Sequence, residues 1–389
     1  MYEGTYVFTQ LIRLVHRQSF ARHVERYNGN YRVKSFTCWH QFLCMSFGQL
    51  TQRESLRDIV NCLQAHEKKL YHLGLRQGIK RSTLSDANEC RDYRIYQDLA
   101  YSLIKKARNL YQGEPEDVDL DNVIYALDST TIELCLEVFW WAKFRKHKAA
   151  EKLHTLLDVR CKIPCFIHVS DGKFHDVNVL DILEFEPEAF YVMDRGYIDW
   201  HRLHRIHRAG AFFVVRAKKN LAFERLYSKS VDKSTGLRCD QTIRLKGHYA
   251  ARDYPDYLRR IKYYNKEHEV TYVYLTNHFD AKPMEIATLY LNRWKVEIFF
   301  KWVKQHLRIK RFWGESANAV KTQIWIAVST FVLVAIMKHR LKSPHSLNEI
   351  LQILSVSVFD KTPVDQLLMK MKTKNQQPPS SNQLNLFDL

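Results

Sequence analysis

The sequence predicts an α/β protein with a helical N-terminal region, and three observations carry that reading. Residues 1 to about 110 show helical spacing with few strand-like runs. Residues 120–219 alternate short apolar strands with helices, in the manner of a three-layer domain. Residues 220–282 then break the alternation with polar-apolar segments punctuated by Gly and Asn, a β-rich insertion. A chain of 389 residues, 46% hydrophobic and 13% aromatic, is long and apolar enough for two or three folding units with a sizeable core.

The N-terminal region, 1–112, contains ESLRDIVNCLQ (54–64), which sets Leu56, Ile59, Val60 and Leu63 on one helical stripe. Beyond Gly74 and Gly78, KRSTLSDANECRDYRIYQDLAYSLIKKAR (80–108) reads as a helix capped by Ser82 or Ser85. With Lys80 and Arg81 in front of it, the pair is a candidate helix-turn-helix for DNA, although any helical hairpin has this pattern. GEPEDVDLDN (113–122) is an acidic, Pro-containing linker.

Next come NVIYALDSTTIEL (122–134), KLHTLLDVRCKIP (152–164) and CFIHVSDGKF (165–174), three strand candidates, the last two joined by a tight turn at Pro164. VNVLDILEF (177–185) reads as a short helix, AFYVMDRGY (189–197) as an apolar strand ending in Asp-Arg-Gly, WHRLHRIHRAG (200–210) as a helix with a Gly stop, and AFFVVRAKK (211–219) as a fifth strand. Three strands, then helix, strand, helix, strand is the order of a ribonuclease H-like mixed sheet flanked by helices, with 120–219 as its first part. In the insertion, TIRLKGH (242–248), LRRIKYYN (258–265) and EVTYVYLTN (269–277) are strand candidates. One long helix is expected from Pro283, a favourable first-turn residue, to about Arg308, and an apolar helix over 316–340 follows, so that 283–345 completes the core. A helical segment (346–372) and a polar, Pro-rich tail (373–389) that reads as disordered end the chain.

Charge narrows the function. Sixty Lys and Arg against 42 Asp and Glu leave +18, which asks for a polyanionic partner: nucleic acid, or an anionic membrane surface. The longest apolar run, Ile324 to Met337, falls short of the ~18 residues that span a bilayer and fits a buried core helix. The opening residues lack a secretory pattern, so the expected compartment is the cytoplasm, with reduced thiols. The eight cysteines are scattered; Cys161 and Cys165 stand four apart with no second ligand pair for zinc.

Asp128 sits in the apolar strand IYALDSTT and Asp194 ends another, FYVMDRG. Each could be an exposed strand-end residue, an ion-pair partner or a metal ligand, since a carboxylate is costly to bury unpaired. In the long helix, at about 100° per residue, Tyr290, Arg293, Glu297 and Lys304 fall within roughly 60° of one another, with Lys301 and Arg308 on the same face. Leu291, Val296, Ile298, Phe299, Trp302 and Val303 take the other side. A surface helix with Glu297 paired to Arg293 and Lys301 would look like this. So would an acid that holds metal among cations that grip phosphate.

The spacing Tyr290-x2-Arg293-x3-Glu297-x6-Lys304 resembles the Tyr-Arg-Glu-Lys signature of the cut-and-paste transposases of bacterial insertion sequences, a branch of the DDE class. Asp128 in the first strand, and Asp194 followed by Arg-Gly-Tyr in the fourth, resemble that family's two Asp contexts. The resemblance implies two Mg²⁺ ions, with Mn²⁺ as a substitute, held by Asp128, Asp194 and Glu297 for phosphoryl transfer. Tyr290, Arg293 and Lys304, joined by Lys301 and Arg308, would contact phosphates. The implied partners are double-stranded DNA (terminal inverted repeats and target), handled by a homodimer around paired ends in the bacterial nucleoid, with no membrane. A hairpin intermediate is part of the family's repertoire; residues 201–293 contain no Trp, so a residue of the insertion that stacks an unpaired base must be Tyr, Phe or His.

The basic cluster WWAKFRKHKAAEKLH (140–154) offers Arg145 and Lys146 as further DNA contacts beside Asp128, or a solvated loop. His175-Asp176 could line the site, or serve as turn and helix cap. At the C-terminus Gln383-Leu384-Asn385-Leu386-Phe387 resembles the pentapeptide that docks bacterial proteins on the replicative sliding clamp; packing back onto the chain's own core is the alternative. Two other functions stay open: a ribonuclease H-like nuclease without strand transfer, and a non-catalytic DNA-binding regulator.

Overall fold

The computed structural model describes residues 4–75, 78–111, 122–134, 143–145, 148–267, 269–306 and 312–369, of which 133–134, 143–145, 148–149, 302 and 305–306 are described in backbone only. The expected linker (113–122), all but its last residue, and the tail beyond 369 lie outside the described residues.

The N-terminal region is helical throughout: α1 (Val7–Ile12), α2 (Arg17–Arg26), α3 (Cys38–Leu50), α4 (Leu56–Ala65), α5 (Glu67–Leu70), α6 (Arg81–Cys90) and α7 (Arg94–Tyr111). The predicted stripe of α4 is buried, and Ser55 caps the helix by accepting from the Asp58 N–H. Ser82 and Ser85 are not caps. They lie inside α6, whose first turn carries no side-chain cap. The single helix expected over 80–108 is broken instead at Arg91, which turns extended. The amide of Asn318 takes the carbonyls of Asn88 and Arg91 at 2.8 and 2.6 Å, so the end of α6 is satisfied from elsewhere and the helix stops.

The described strands form one sheet. They are β1 (Ile124–Leu134), β2 (Lys143–Arg145), β3 (Lys148–Asp158), β4 (Ile163–Asp171), β5 (Phe190–Met193), β6 (Phe212–Arg216), β7 (Phe223–Lys229), β8 (Leu237–Leu245), β9 (Leu258–Asn265) and β10 (Val270–Thr276). Its core half runs β4-β3-β1-β5-β6, antiparallel among the first three and parallel from β1 to β6. That is the ribonuclease H-like arrangement expected from element order. β10 pairs antiparallel with β6, and β9, β8 and β7 follow, so the insertion prolongs the same sheet.

Three local expectations are corrected. The β3–β4 turn falls at Val159–Lys162, with Lys162 at φ 55°, and Pro164 lies within β4. There a register shift sets Leu157 opposite Pro164 and Leu156 opposite Phe166, a bulge that an outer strand tolerates. The helix expected over 177–185 is a short 3-10 turn, Asp176–Asp181, sufficient to bury Val179 and Leu180. The long helix splits into α10 (Pro283–Leu291) and α11 (Trp294–His306). Across the join Arg293, Lys295 and Val296 donate to Tyr290, Asn292 and Arg293, three residues back, a tightened 3-10 segment.

Alternation along β1 and β5 divides the core. Ile124, Ala126, Phe190 and Val192 point to the face covered by the N-terminal helices, α10 and α11, and the buried helix α12 (Ala317–Arg340). Tyr125, Leu127, Tyr191 and Met193 face α8 (Trp200–Arg208) and α9 (His248–Asp253). α12 is long and apolar enough to cross a membrane by length and composition, and 94% of its most apolar window is buried within the protein. Its Trp325 packs on Tyr101, and its Ala335 carbonyl accepts from the Tyr111 hydroxyl at 3.0 Å, both from α7. On α3, Gly48 sits where a Cβ would meet Ile59 at 2.5 Å and Trp313 at 2.8 Å. α13 (Leu347–Ser357) and α14 (Val364–Met369) close the chain over α1.

Candidate active site

The parallel pairing of β1 with β5 aligns Leu127 with Met193, so the next residues, Asp128 and Asp194, stand side by side where the strands part. Strands so paired are about 4.8 Å apart. Each Asp follows by two residues an apolar side chain of the first core face, Ala126 and Val192, so both carboxylates belong to the face that α10 and α11 cover.

The join between those helices delivers the third acid and a cation. Arg293 donates from Nη1 to Asp128 Oδ2 at 2.7 Å and from Nη2 to Glu297 Oε1 at 2.5 Å. Asp128 Oδ1 accepts the Ser129 backbone N–H at 2.8 Å. The Tyr290 hydroxyl lies 3.4 Å from Asp194 Oδ1, a long hydrogen bond. Glu297 occupies the first turn of α11, where a negative charge complements the helix dipole. The surface-helix pairing of Arg293 with Glu297 is therefore real, and it is half of a bridge to a strand acid 165 residues away.

The electrostatics tie the acids together. Burial pushes Asp128 up to about 6; the Ser129 N–H and the Arg293 guanidinium oppose that, while the charges of Glu297 and Asp194 add to it. Three carboxylates thus share one field, with a guanidinium seated between two of them. Among the described residues no three His, Cys, Asp or Glu side chains are gathered closely enough to cage a metal ion, and Arg293 stands where the gap is.

The remaining predicted residues divide. Lys304 Nζ donates to the Thr131 carbonyl at 2.9 Å, which pins α11 to β1, and Lys301 is exposed. Arg308 and Lys146 lie outside the described residues, as do Gln383, Leu384, Leu386 and Phe387, and Arg145 is described in backbone only. Lys152 of the basic cluster turns inward to Asp176 at 3.1 Å, and Asp176 opens the 3-10 turn with His175 at its cap position.

Sequence reasoning passed over three features. Trp294, directly after Arg293, is 60% exposed, flanked by exposed Leu291 and Ile298, two residues of the apolar side opposite Glu297. Tyr197 of Asp-Arg-Gly-Tyr is buried beneath the site, and burial with the Asp128 charge holds its hydroxyl protonated. A cavity of about 890 Å³ opens in the N-terminal region between α2, α3 and α6. Arg17, Lys34, Lys80, Trp39 and Tyr71 line it, and the Arg17 guanidinium lies 4.0 Å from the Trp39 ring centre. The only signal for it in sequence was the basic pair Lys80-Arg81.

Residues 119–333 match the family described as transposase DDE domain, and residues 3–76 match a domain of unknown function. A putative transposase of Sinorhizobium fredii is 29% identical over 65% of this chain and 70% of its own length. A probable insertion-sequence transposase of Geobacillus stearothermophilus is 30% identical over 54% of this chain and 55% of its own. A putative insertion-sequence transposase of a Synechocystis strain is 24% identical over 66% and 71%.

Proposed function

The chain belongs to the DDE transposases of bacterial insertion sequences, and from that premise we propose that it cuts and joins DNA at a site made of Asp128, Asp194 and Glu297. The observation that carries the assignment is the Arg293 bridge, which brings the strand acid and the helix acid onto one cation beside Asp194.

Three carboxylates are hard oxygen donors of the kind Mg²⁺ takes alongside water and phosphate, and the guanidinium held between two of them fits a site that demands positive charge. Asp128, Asp194 and Glu297 would hold two such ions, with Mn²⁺ as substitute. When bound, metal in such a site activates the attacking hydroxyl and stabilises the leaving oxygen of an in-line displacement. The chain's own groups do the rest. The Ser129 N–H orients Asp128, Tyr290 orients Asp194, and Lys304 fixes α11 against β1. Arg293 and Lys301 supply charge for the scissile and flanking phosphates. For a hairpin intermediate, exposed Trp294 offers an indole face, whereas the insertion offers only smaller rings such as the exposed Tyr227, Tyr249 and Tyr257.

We further assign terminal-repeat binding to the N-terminal helices, on the strength of the cationic, aromatic cavity around Trp39. Two protomers would hold the paired ends. The terminal peptide would dock the sliding clamp, so removal of residues 383–389 should abolish clamp pull-down and spare cleavage.

A joining assay with paired terminal-repeat DNA and Mg²⁺ tests the central reading. Glu297→Gln should bind DNA as the wild type does and neither cleave nor join; full activity in that variant refutes the assignment. Cleavage without joining by the wild type would instead mark a nuclease, and binding without cleavage a regulator.

A further inference from the structure

Arg293 occupies more of the acidic site than a phosphate-binding residue needs to. Its two terminal nitrogens sit at 2.7 and 2.5 Å from Asp128 and Glu297, while its Nε is buried with no partner among the described residues. A guanidinium this close to both oxygens excludes a divalent ion from the space between them, because like charges repel strongly where solvent is scarce. The side chain is only 16% exposed, so water screens that repulsion poorly. The residue also stands at the tightened join between α10 and α11, where the backbone departs from regular α-helix. A join of this kind lets one side chain change direction without unfolding either helix.

We propose that Arg293 is an internal counter-cation that competes with divalent metal for Asp128 and Glu297 and releases them when a DNA phosphate arrives. The inference rests on the three-acid reading of the site above. In the DNA-free protein the single charge of the guanidinium offsets part of the two acids' negative charge and keeps metal affinity low. A phosphate offers it the same fork of oxygens, and would satisfy the unpaired Nε as well. Once Arg293 turns to phosphate, the carboxylates regain the negative charge that draws a divalent ion. Metal and DNA then bind cooperatively, and by linkage each raises the affinity of the other by the same factor.

The test measures Mn²⁺ binding to the full-length, DNA-free protein by the electron-paramagnetic signal of free Mn²⁺, so that no activity is needed. Arg293→Gln should bind Mn²⁺ about tenfold more tightly than the wild type, within the ~5- to 150-fold range of ordinary site coupling. Arg293→Lys, which keeps the charge without the fork, should fall between them. A terminal-repeat duplex should raise Mn²⁺ affinity in the wild type and much less in Arg293→Gln. Unchanged or weaker Mn²⁺ binding in a folded Arg293→Gln protein, with a native circular dichroism spectrum, overturns the proposal. Asp128→Asn in the Arg293→Gln background separates the two ideas. Loss of the added Mn²⁺ binding supports the exchange, and indifference to Asp128 sinks the three-acid reading and the exchange with it.

Discussion

Asp128 is half-buried and Glu151 fully buried on strands of one sheet, and they bear the cost differently. Asp128 has Arg293 and the Ser129 N–H; Glu151 has the charge of Lys321, and its Oε2 has no hydrogen-bond partner among the described residues. Burial pushes Glu151 up to about 7, opposed by Lys321 and reinforced by Asp171. A raised carboxyl contributes its stability below the unfolded value of about 4.5 and loses it as pH rises through the folded value. Glu151→Gln should therefore match the wild type near pH 4.5 and exceed it above pH 7, by up to ~3 kcal/mol or several degrees in melting temperature. A gap independent of pH would contradict the buried-acid account. At this scale the sequence was informative about which acids to suspect, since Asp128 and Asp194 interrupt apolar strands. It could not name Arg293 as the partner of Asp128, because helical spacing reports neighbours four residues apart and is silent about residue 128.

Within the insertion a buried ion pair ties β9 to β8 and to the segment that leads into α10. Arg259 of β9 forks onto Asp240 of β8 with both contacts at 2.8 Å, and reaches the Ala281 carbonyl ahead of α10 at 2.6 Å. Arg259→Met should cost ~3–5 kcal/mol in urea denaturation, because it strands the Asp240 charge, and adding Asp240→Leu should recover most of the loss. Failure of the second change to help would mean that the carbonyl contacts, not the charge, hold the element. The groove around Trp39 gives another prediction at this scale. Lys34→Ala with Lys80→Ala should weaken DNA binding and lower its salt slope by about two, read from affinity across a salt series. An unchanged slope would place the phosphates elsewhere. Strand order was legible here because β1, β5 and β6 are apolar runs with turn signals between them. β7 was not, since FERLYSK is an exposed, charged segment without clear alternation. Nor was the α10–α11 join, where no Gly or Pro marks the tightened hydrogen-bond ladder at Asn292 and Arg293.

Across the whole molecule, the N-terminal helices and α12 share one apolar cluster with a face of the sheet. Nothing in the amino-acid pattern announces this, because apolar stripes give no address for their partners. Calorimetry should accordingly show α3, α7 and α12 melting in one transition, and an N-terminal unit that melts far below the rest would contradict the shared core. The net charge of +18 supplies a long-range attraction to DNA, but the account stands or falls on convergence of the three acids. Localised radical cleavage measures that directly: Fe²⁺ replaces Mg²⁺ in the DNA complex, peroxide and ascorbate are added, and breaks in the protein backbone are mapped. The account predicts breaks near residues 128, 194 and 297 together, all suppressed by excess Mg²⁺. Breaks confined to one of these segments, or lying elsewhere in the chain, would contradict it.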